Sequence, residues 1–305
     1  MIKIYYKSIK EKEVILIDSF RIGSLVYLNS PTDEELELVS QELGFDLNAL
    51  RDALDIYEVP RVEIENNKIY FYARVPYEAE KTIKTLNFLI AIDDNFILII
   101  TPGEISFLEE LIFRENLNTT QRTKCFFKIF SYVNVIYSQV LTRINKKITK
   151  FTINITKITN RDISQFVYFE TILNDFLAAL IPMQTALNQL LQNKVLKFYE
   201  EDKELIENLI LANNQLIELT KSNLKNIVNV REAYSTLLSN DLNQIIKIFT
   251  ALTVIINIPV IIASFYGMNV SLPLQDKPDI FYWLIFLNLL IVGFLIILFI
   301  RKKWL

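Results

Sequence analysis

The 305 residues are 51% hydrophobic and 22% charged, with a net charge of −3 and a mean hydropathy of +0.28. The acidic balance argues against nucleic acid as a partner, the absence of histidine excludes His-based catalysis and His-ligated zinc, and a single cysteine, Cys125, excludes an internal disulfide. One thiol suits a reducing compartment, and the near-confinement of charge to the first 247 residues fits a membrane protein with a large soluble part.

Residues 1–103 read as an α/β domain. MIKIYY, VILI (14–17) and SLVYL (24–28) have the pattern of short strands, and MIKIYYKSIKEKEVILI lacks the uninterrupted apolar core of a signal peptide. Pro31-Thr32-Asp33-Glu34-Glu35 starts a helix: a Thr cap, acids in the first turn, then Leu36, Leu38, Val39 and Leu43 before Gly44. A second short helix is expected over 47–54. Alternating runs follow, RVEIE (61–65), KIYFYARV (68–75), TLNFLIAI (85–92) and NFILIITP (95–102), with Asn66-Asn67 and Asp93-Asp94-Asn95 as hairpin turns.

Residues 104–247 read as a helical stalk. No glycine occurs between Gly103 and Gly267, and only Pro182 and Pro259 interrupt. Phe166, Phe169, Leu173, Phe176, Leu180, Met183, Leu187 and Leu190 alternate steps of three and four, a coiled-coil seam. Val133, Ile136, Val140, Ile144, Ile148, Phe151, Ile155 and Ile158 form a similar stripe, although its Thr and Ile density is poor for a helix. From about 200 the apolar pattern Leu205, Leu209, Ala212, Leu216, Leu219 continues, with a shift, through Ile227, Val230, Tyr234 and Leu237, without a breaker, into the next segment. One helix is therefore expected from about 200 to 266. Packing alone explains the stripes but not their continuity into an apolar span.

Residues 248–305 read as a transmembrane hairpin. No charge occurs from 248 to 275 or from 280 to 300, and each run is long enough to cross a hydrocarbon core of ~30 Å, which needs about 20 apolar residues. Arg301, Lys302 and Lys303 directly follow the second run, so the positive-inside rule places the C-terminus in the cytosol. With two spans the N-terminal domain is cytosolic as well, and the loop after Gly267 faces outward. Asn243, Thr250, Asn257 and Ser264 recur every seven residues, with Thr253 between two of them. Seven residues at about 100° each return to within ~20° of the start, so these side chains share one face. Two explanations stand: hydrogen bonding between helices, or a polar lining facing water, with Ile246, Phe249 and Ile261 as apolar constrictions.

Tyr266-Gly267-Met268-Asn269 at the outer end of the first of two C-terminal spans, a short loop, and Arg301-Lys302-Lys303-Trp304 after the second span resemble the CorA family of magnesium transport proteins. LNQIIKIFTALTVI (242–255), PTDEELELVSQELGFD and RVEIENNKIYFYARVP extend the resemblance over essentially the whole chain. Two features depart from it: Pro259 stands ten residues before Asn269 rather than eleven, and the loop SLPLQDKPD is only weakly acidic. The resemblance implies a homopentamer in the cytoplasmic membrane, five first spans around a pore and five second spans outside. It further implies that Gly267, Met268 and Asn269 form the ion entrance and that Asn243, Thr250, Asn257 and Ser264 line the pore. The transported ion is then Mg²⁺, whose tightly held waters a neutral Asn carbonyl accepts without stripping.

The resemblance also implies acids between subunits that hold Mg²⁺ and keep the pore closed, for which Glu200, Glu201, Asp202, Glu204 and Glu207 are candidates; a solvated helix start is the plainer reading of that run. Arg301, Lys302 and Lys303 from five copies would form a basic ring near anionic lipid headgroups. Two other functions compete: transport of Co²⁺, Ni²⁺ or Zn²⁺, and a membrane-anchored cytosolic sensor. An enzyme is not expected, since the chain carries no Gly-rich phosphate loop, nucleophile constellation or metal-ligand cluster.

Overall fold

The structure, a computed structural model, describes residues 1–79, 82–153, 155, 158–192, 200–273, 277 and 279–305. It divides into two compact units, Met1–Val230 and Arg231–Leu305.

The first unit is built on seven strands: β1 (Ile2–Tyr6), β2 (Ile15–Ile17), β3 (Leu25–Asn29), β4 (Arg61–Glu65), β5 (Lys68–Ala79), β6 (Thr82–Ile92) and β7 (Ile97–Thr101). They form one sheet in the order β2-β1-β3-β7-β6-β5-β4, antiparallel except where β3 runs parallel to β7. The expected hairpins are present, β4 with β5 through Glu65↔Lys68 and β6 with β7 through Ile92↔Ile97. Sequence reading stopped β5 and β6 short, because Pro76 and the charged 78–84 stretch look like a loop. They instead pair along their full length to Ala79↔Thr82, with Pro76 opposite Thr85.

Strand register decides which residues face which layer. Ile4, Val26, Leu98, Ala91 and Tyr70 sit side by side across five strands, and Leu28, Ile100, Leu89 and Tyr72 form the next row. On this face pack α1 (Asp33–Leu43) and α2 (Leu47–Asp52), burying Leu36, Val39, Leu43, Ala49 and Leu50 in the same core. The Thr32 hydroxyl accepts from Glu35 N at 3.3 Å and Glu35 returns the bond to Thr32 N at 3.0 Å. Gly44 ends the helix in the left-handed region, at φ 71°, which glycine adopts without Cβ strain.

Side chains of opposite parity face a layer of helices. Phe71 stacks edge-on against Phe126 and Phe130 at 5.5 and 5.0 Å, and the Tyr137 hydroxyl donates to Arg74 O at 2.8 Å. These aromatics lie on α4 (Arg122–Ile153), which follows a short α3 (Ser106–Arg114) at the start of the segment expected to be helical. α4 is helical despite its Thr and Ile content because Val133, Val140, Ile144 and Ile148 are buried, and burial outweighs an intrinsic propensity of a few tenths of a kcal/mol per residue. Ile155 and Ile158 lie beyond its end. Every residue of the expected seam in α5 (Asn160–Gln192) is buried, from Phe166 to Leu190.

α6 runs unbroken from Glu200 to Tyr266, 67 residues, as the absence of breakers predicts, and Pro259 is accommodated within it. At 1.5 Å per residue that is about 100 Å. Its buried seam in the first unit differs from the expected one. Leu205 is 38% exposed, whereas Ile206, Leu209, Asn213, Leu216, Thr220, Asn223 and Ile227 are buried. Three polar side chains in this seam hid it from an apolar pattern search. Their donors are satisfied: Asn213 Nδ2 reaches Leu180 O and Gln184 Oε1, and the Thr220 hydroxyl reaches Leu216 O at 2.6 Å.

The second unit holds the rest of α6 and α7 (Ile280–Arg301). By length and composition three helices could cross a membrane, α5 among them, but 44% of the apolar window of α5 is buried inside the fold against 6% for α6 and for α7. Only the latter two present apolar surface that lipid could cover.

Candidate functional site

Exposure along α6 separates two faces. Ile248, Ala251, Ile255, Ile258 and Ile262 alternate steps of three and four and are buried or half-buried, with Ala251 fully so. The opposite side carries Asn243, Ile246, Phe249, Thr250, Thr253, Asn257 and Ser264, all exposed, with Phe249 at 66%. Only the narrow strip from Ile248 to Ile262 is covered within the single chain: apolar Leu252, Ile256, Val260 and Phe265 are exposed along with the polar stripe, and 6% of the helix's apolar window is buried.

Hydrogen bonding distinguishes the members of that stripe. The Thr250 and Thr253 hydroxyls donate to Ile246 O and Phe249 O, both at 2.8 Å, so their lone pairs remain to meet a ligand or a neighbour. The Asn243, Asn257 and Asn269 amides make no hydrogen bond among the described residues. An unpaired amide is costly in hydrocarbon, so this face calls for water or another polar surface. The stripe also begins earlier than the sequence reading placed it. Glu232, Thr236, Ser239 and Asn243 step four, three and four residues along the same face, and all are exposed. Sequence reading began the stripe at Asn243, although the same spacing extends back to Glu232.

α6 ends at Tyr266, and Gly267 N donates to Ala263 O at 2.9 Å while Met268 N donates to Phe265 O at 3.3 Å. The helix ends just before Gly267 without a left-handed glycine conformation. Among the described glycines only Gly23 and Gly44 have positive φ. Gly267 matters through closeness instead: a Cβ there would lie 3.3 Å from Ala263 O. Met268 is 51% exposed and Asn269 is exposed, so the three motif residues form an open end to the helix.

α7 buries Phe299 and half-buries Leu284, Asn288, Ile291 and Leu295, leaving the rest of its circumference to lipid. Phe281, Tyr282 and Trp283 are exposed at its start, and Trp304 stacks on Phe299 at 5.5 Å beyond its end. Aromatic rings at both ends are the pattern of a membrane-crossing helix. Arg301 closes the helix, Lys302 N and Lys303 N bond back to Leu298 O and Ile300 O at 3.0 Å, and all three cationic side chains are exposed. Asn288 was missed in the sequence; Nδ2 donates to Leu284 O at 3.0 Å, while Oδ1 is buried without a partner among the described residues.

The candidate regulatory acids are not gathered within one chain. Asp202 is buried at 3% exposure, Glu204 and Glu207 are exposed, and the side chains of Glu200 and Glu201 lie outside the described residues. Among the described residues no group of three or more His, Cys, Asp or Glu is placed to hold a metal ion.

Comparison with known proteins covers nearly the whole chain. Residues 25–302 match the model of the family described as CorA-like Mg²⁺ transporter protein. The cobalt/magnesium transport protein CorA of Methanocaldococcus jannaschii is 27% identical over 300 residues, 94% of this chain and 93% of that protein. The magnesium transport protein CorA of Wolinella succinogenes is 32% identical over 119 residues, 36% of each chain. The complete structure of the CorA magnesium transporter from Methanocaldococcus jannaschii superposes with a TM-score of 0.87 at 24% identity, covering 100% of this chain and 99% of that one.

Proposed function

The chain belongs to the CorA-like Mg²⁺ transporter family, a divalent-cation transporter rather than an enzyme, and we propose that it admits Mg²⁺ to the cytosol through a homopentameric pore lined by α6. One observation carries this reading: an otherwise apolar span bears Asn243, Thr250, Asn257 and Ser264 at seven-residue spacing, all exposed, on one face of a continuous helix. Five stripes around an axis satisfy one another's amides through water. Asn243, Thr250, Thr253, Asn257 and Ser264 then form polar rings, with Ile246 and Phe249 as apolar constrictions that gate by dewetting. Glu232 adds a ring of carboxylates on the cytosolic side.

Entry begins at Gly267, Met268 and Asn269. The C-terminal end of each α6 carries about half a negative charge from unsatisfied carbonyls, so five ends attract a cation. Mg²⁺ keeps its waters at about 2.0–2.1 Å, and the Asn269 amide oxygens accept from those waters. A membrane potential of about 100 mV supplies about 2.3 kcal/mol per charge, roughly 4.6 for a divalent ion.

The termini and residues 1–103 and 104–247 lie in the cytosol, residues 248–305 in the cytoplasmic membrane, and Arg301, Lys302 and Lys303 ring the inner mouth at the lipid headgroups. Acids at the foot of α6, Glu200, Glu201, Asp202, Glu204 and Glu207, bind cytosolic Mg²⁺ between subunits and restrain opening. The name of the Methanocaldococcus jannaschii relative, cobalt/magnesium transport protein, supports a second cargo, Co²⁺; Ni²⁺ and Zn²⁺ belong to the same test. In proteoliposomes, Mg²⁺ influx that Co²⁺ competes for supports a shared pathway. Zero flux of any divalent ion from correctly assembled protein contradicts the proposal and leaves an anchored sensor.

A further inference from the structure

α6 carries a proline in the middle of its apolar span. Pro259 has no N–H, so Ile255 O, the acceptor four residues before it, loses its helical donor. The nearby hydroxyls do not replace it, since Thr250 and Thr253 donate to Ile246 O and Phe249 O. In water such a carbonyl is solvated, but in hydrocarbon it needs a partner from a neighbouring helix. It lies on the strip of α6 that is covered within the chain, where Ile255, Ile258 and Pro259 are all half-buried.

α7 holds one side chain able to meet that need. Between Trp283 and Arg301 only Asn288 can hydrogen-bond through its side chain. It is half-buried, and its amide is poorly used. Nδ2 donates at 3.0 Å to Leu284 O, the carbonyl that the Asn288 backbone N–H of the helix already serves, and Oδ1 is buried without a partner among the described residues.

Depth agrees as well. Leu284, Asn288, Ile291 and Leu295, the covered positions of α7, stand 4, 8, 11 and 15 residues after Ile280. Ile262, Ile258, Ile255 and Ala251, the covered positions of α6, stand 4, 8, 11 and 15 residues before Tyr266. In a two-span hairpin the two strips therefore match step for step, with Asn288 level with Ile258 and about 12 Å in from the helix ends. Ile255 is about 4.5 Å deeper, and its carbonyl points toward the C-terminal end of α6, back to the level of Asn288.

We infer that the Asn288 amide serves the carbonyl that Pro259 releases, with Nδ2 donating to Ile255 O across the α6–α7 contact. Leu284 O keeps its helical donor through the exchange. Asn257, on the polar stripe, lies between Ile255 and Pro259. The bond thus steadies the stripe at the turn where α6 lacks a hydrogen bond of its own. Asn288 is a positioning residue and touches no ion. Its effect on transport rests on the pore proposed above, whereas the bond itself does not.

Pro259→Ala restores an N–H at that position and removes the need for the amide, so a double-mutant cycle isolates the pair. Unfolding temperature in detergent and Mg²⁺ influx into proteoliposomes are compared for full-length wild type, Asn288→Leu, Pro259→Ala and the double variant. Asn288→Leu should lower the unfolding temperature by about 2–4 °C and reduce influx, and should do neither in the Pro259→Ala background. Equal losses in both backgrounds, or no loss in either, overturn the bond. Coupled melting with unchanged influx keeps the bond and overturns its part in transport. A wild type without influx removes the pore and leaves the melting cycle to judge the bond. Should Pro259→Ala fail to assemble, Ile258→Cys with Asn288→Cys decides: an oxidised disulfide within one chain, read by mass, supports the contact, and two free thiols overturn it.

Discussion

At Asn269 the amide stands exposed beyond the last turn of α6 with no partner among the described residues, so its replacement removes little packing. In the proposed pentamer Asn269→Asp adds five negative charges at the proposed entrance; we expect altered ion selectivity or block, measured as the Mg²⁺ to Co²⁺ flux ratio, and an unchanged ratio and rate would argue against an entrance there. Gly267→Ala forces a Cβ to within 3.3 Å of Ala263 O, so the helix end must shift by a few tenths of an ångström. Uptake should fall while expression and assembly persist, and wild-type flux would show that the helix end tolerates the shift. Burial pushes the Cys125 thiol up to about 12. The neutral thiol dominates at any pH below that value, so a maleimide should leave native protein unlabelled at neutral pH and label it only after denaturation. Rapid native labelling would contradict the packing of α4.

At the scale of elements, the helices and most strands were legible because their signals are local: a Thr32 cap with Glu35 three residues on, alternation in the strands, a three-four seam in α5. The same logic found the polar stripe of α6 that forms the candidate site. What escaped was set by tertiary context. The β5–β6 extension passes through Pro76, tolerated opposite Thr85, and the seam of α6 is held by Asn213, Thr220 and Asn223, which no hydrophobic pattern flags. The polar face of the span reads as helix glue or as pore lining from sequence, and the single chain leaves it exposed, which either role requires. Asn213 tests the polar seam. Its Nδ2 serves Leu180 O at 3.0 Å and Gln184 Oε1 at 2.8 Å in a fully buried position. Asn213→Ala should therefore cost about 1–3 kcal/mol of stability, seen as a lower unfolding temperature in detergent. An unchanged unfolding temperature would mean that the α5–α6 contact is purely apolar.

For the whole molecule, α6 is one helix from Glu200 to Tyr266, so in the proposed assembly a change in subunit packing at one end has a continuous element along which to reach the other. If acids at the foot bind Mg²⁺ between copies, flux should drop as Mg²⁺ on the cytosolic side rises to millimolar levels; flux indifferent to that concentration would remove the feedback. The central claim is conduction of hydrated Mg²⁺ past Asn269 in a pore made of five α6 helices. The most direct measurement compares Mg²⁺ influx into proteoliposomes for the wild type and Asn269→Ala, with oligomeric state checked by native mass spectrometry. The account predicts pentamers in both samples, potential-driven influx in the wild type and none in Asn269→Ala. Wild-type influx from pentameric Asn269→Ala protein would contradict it.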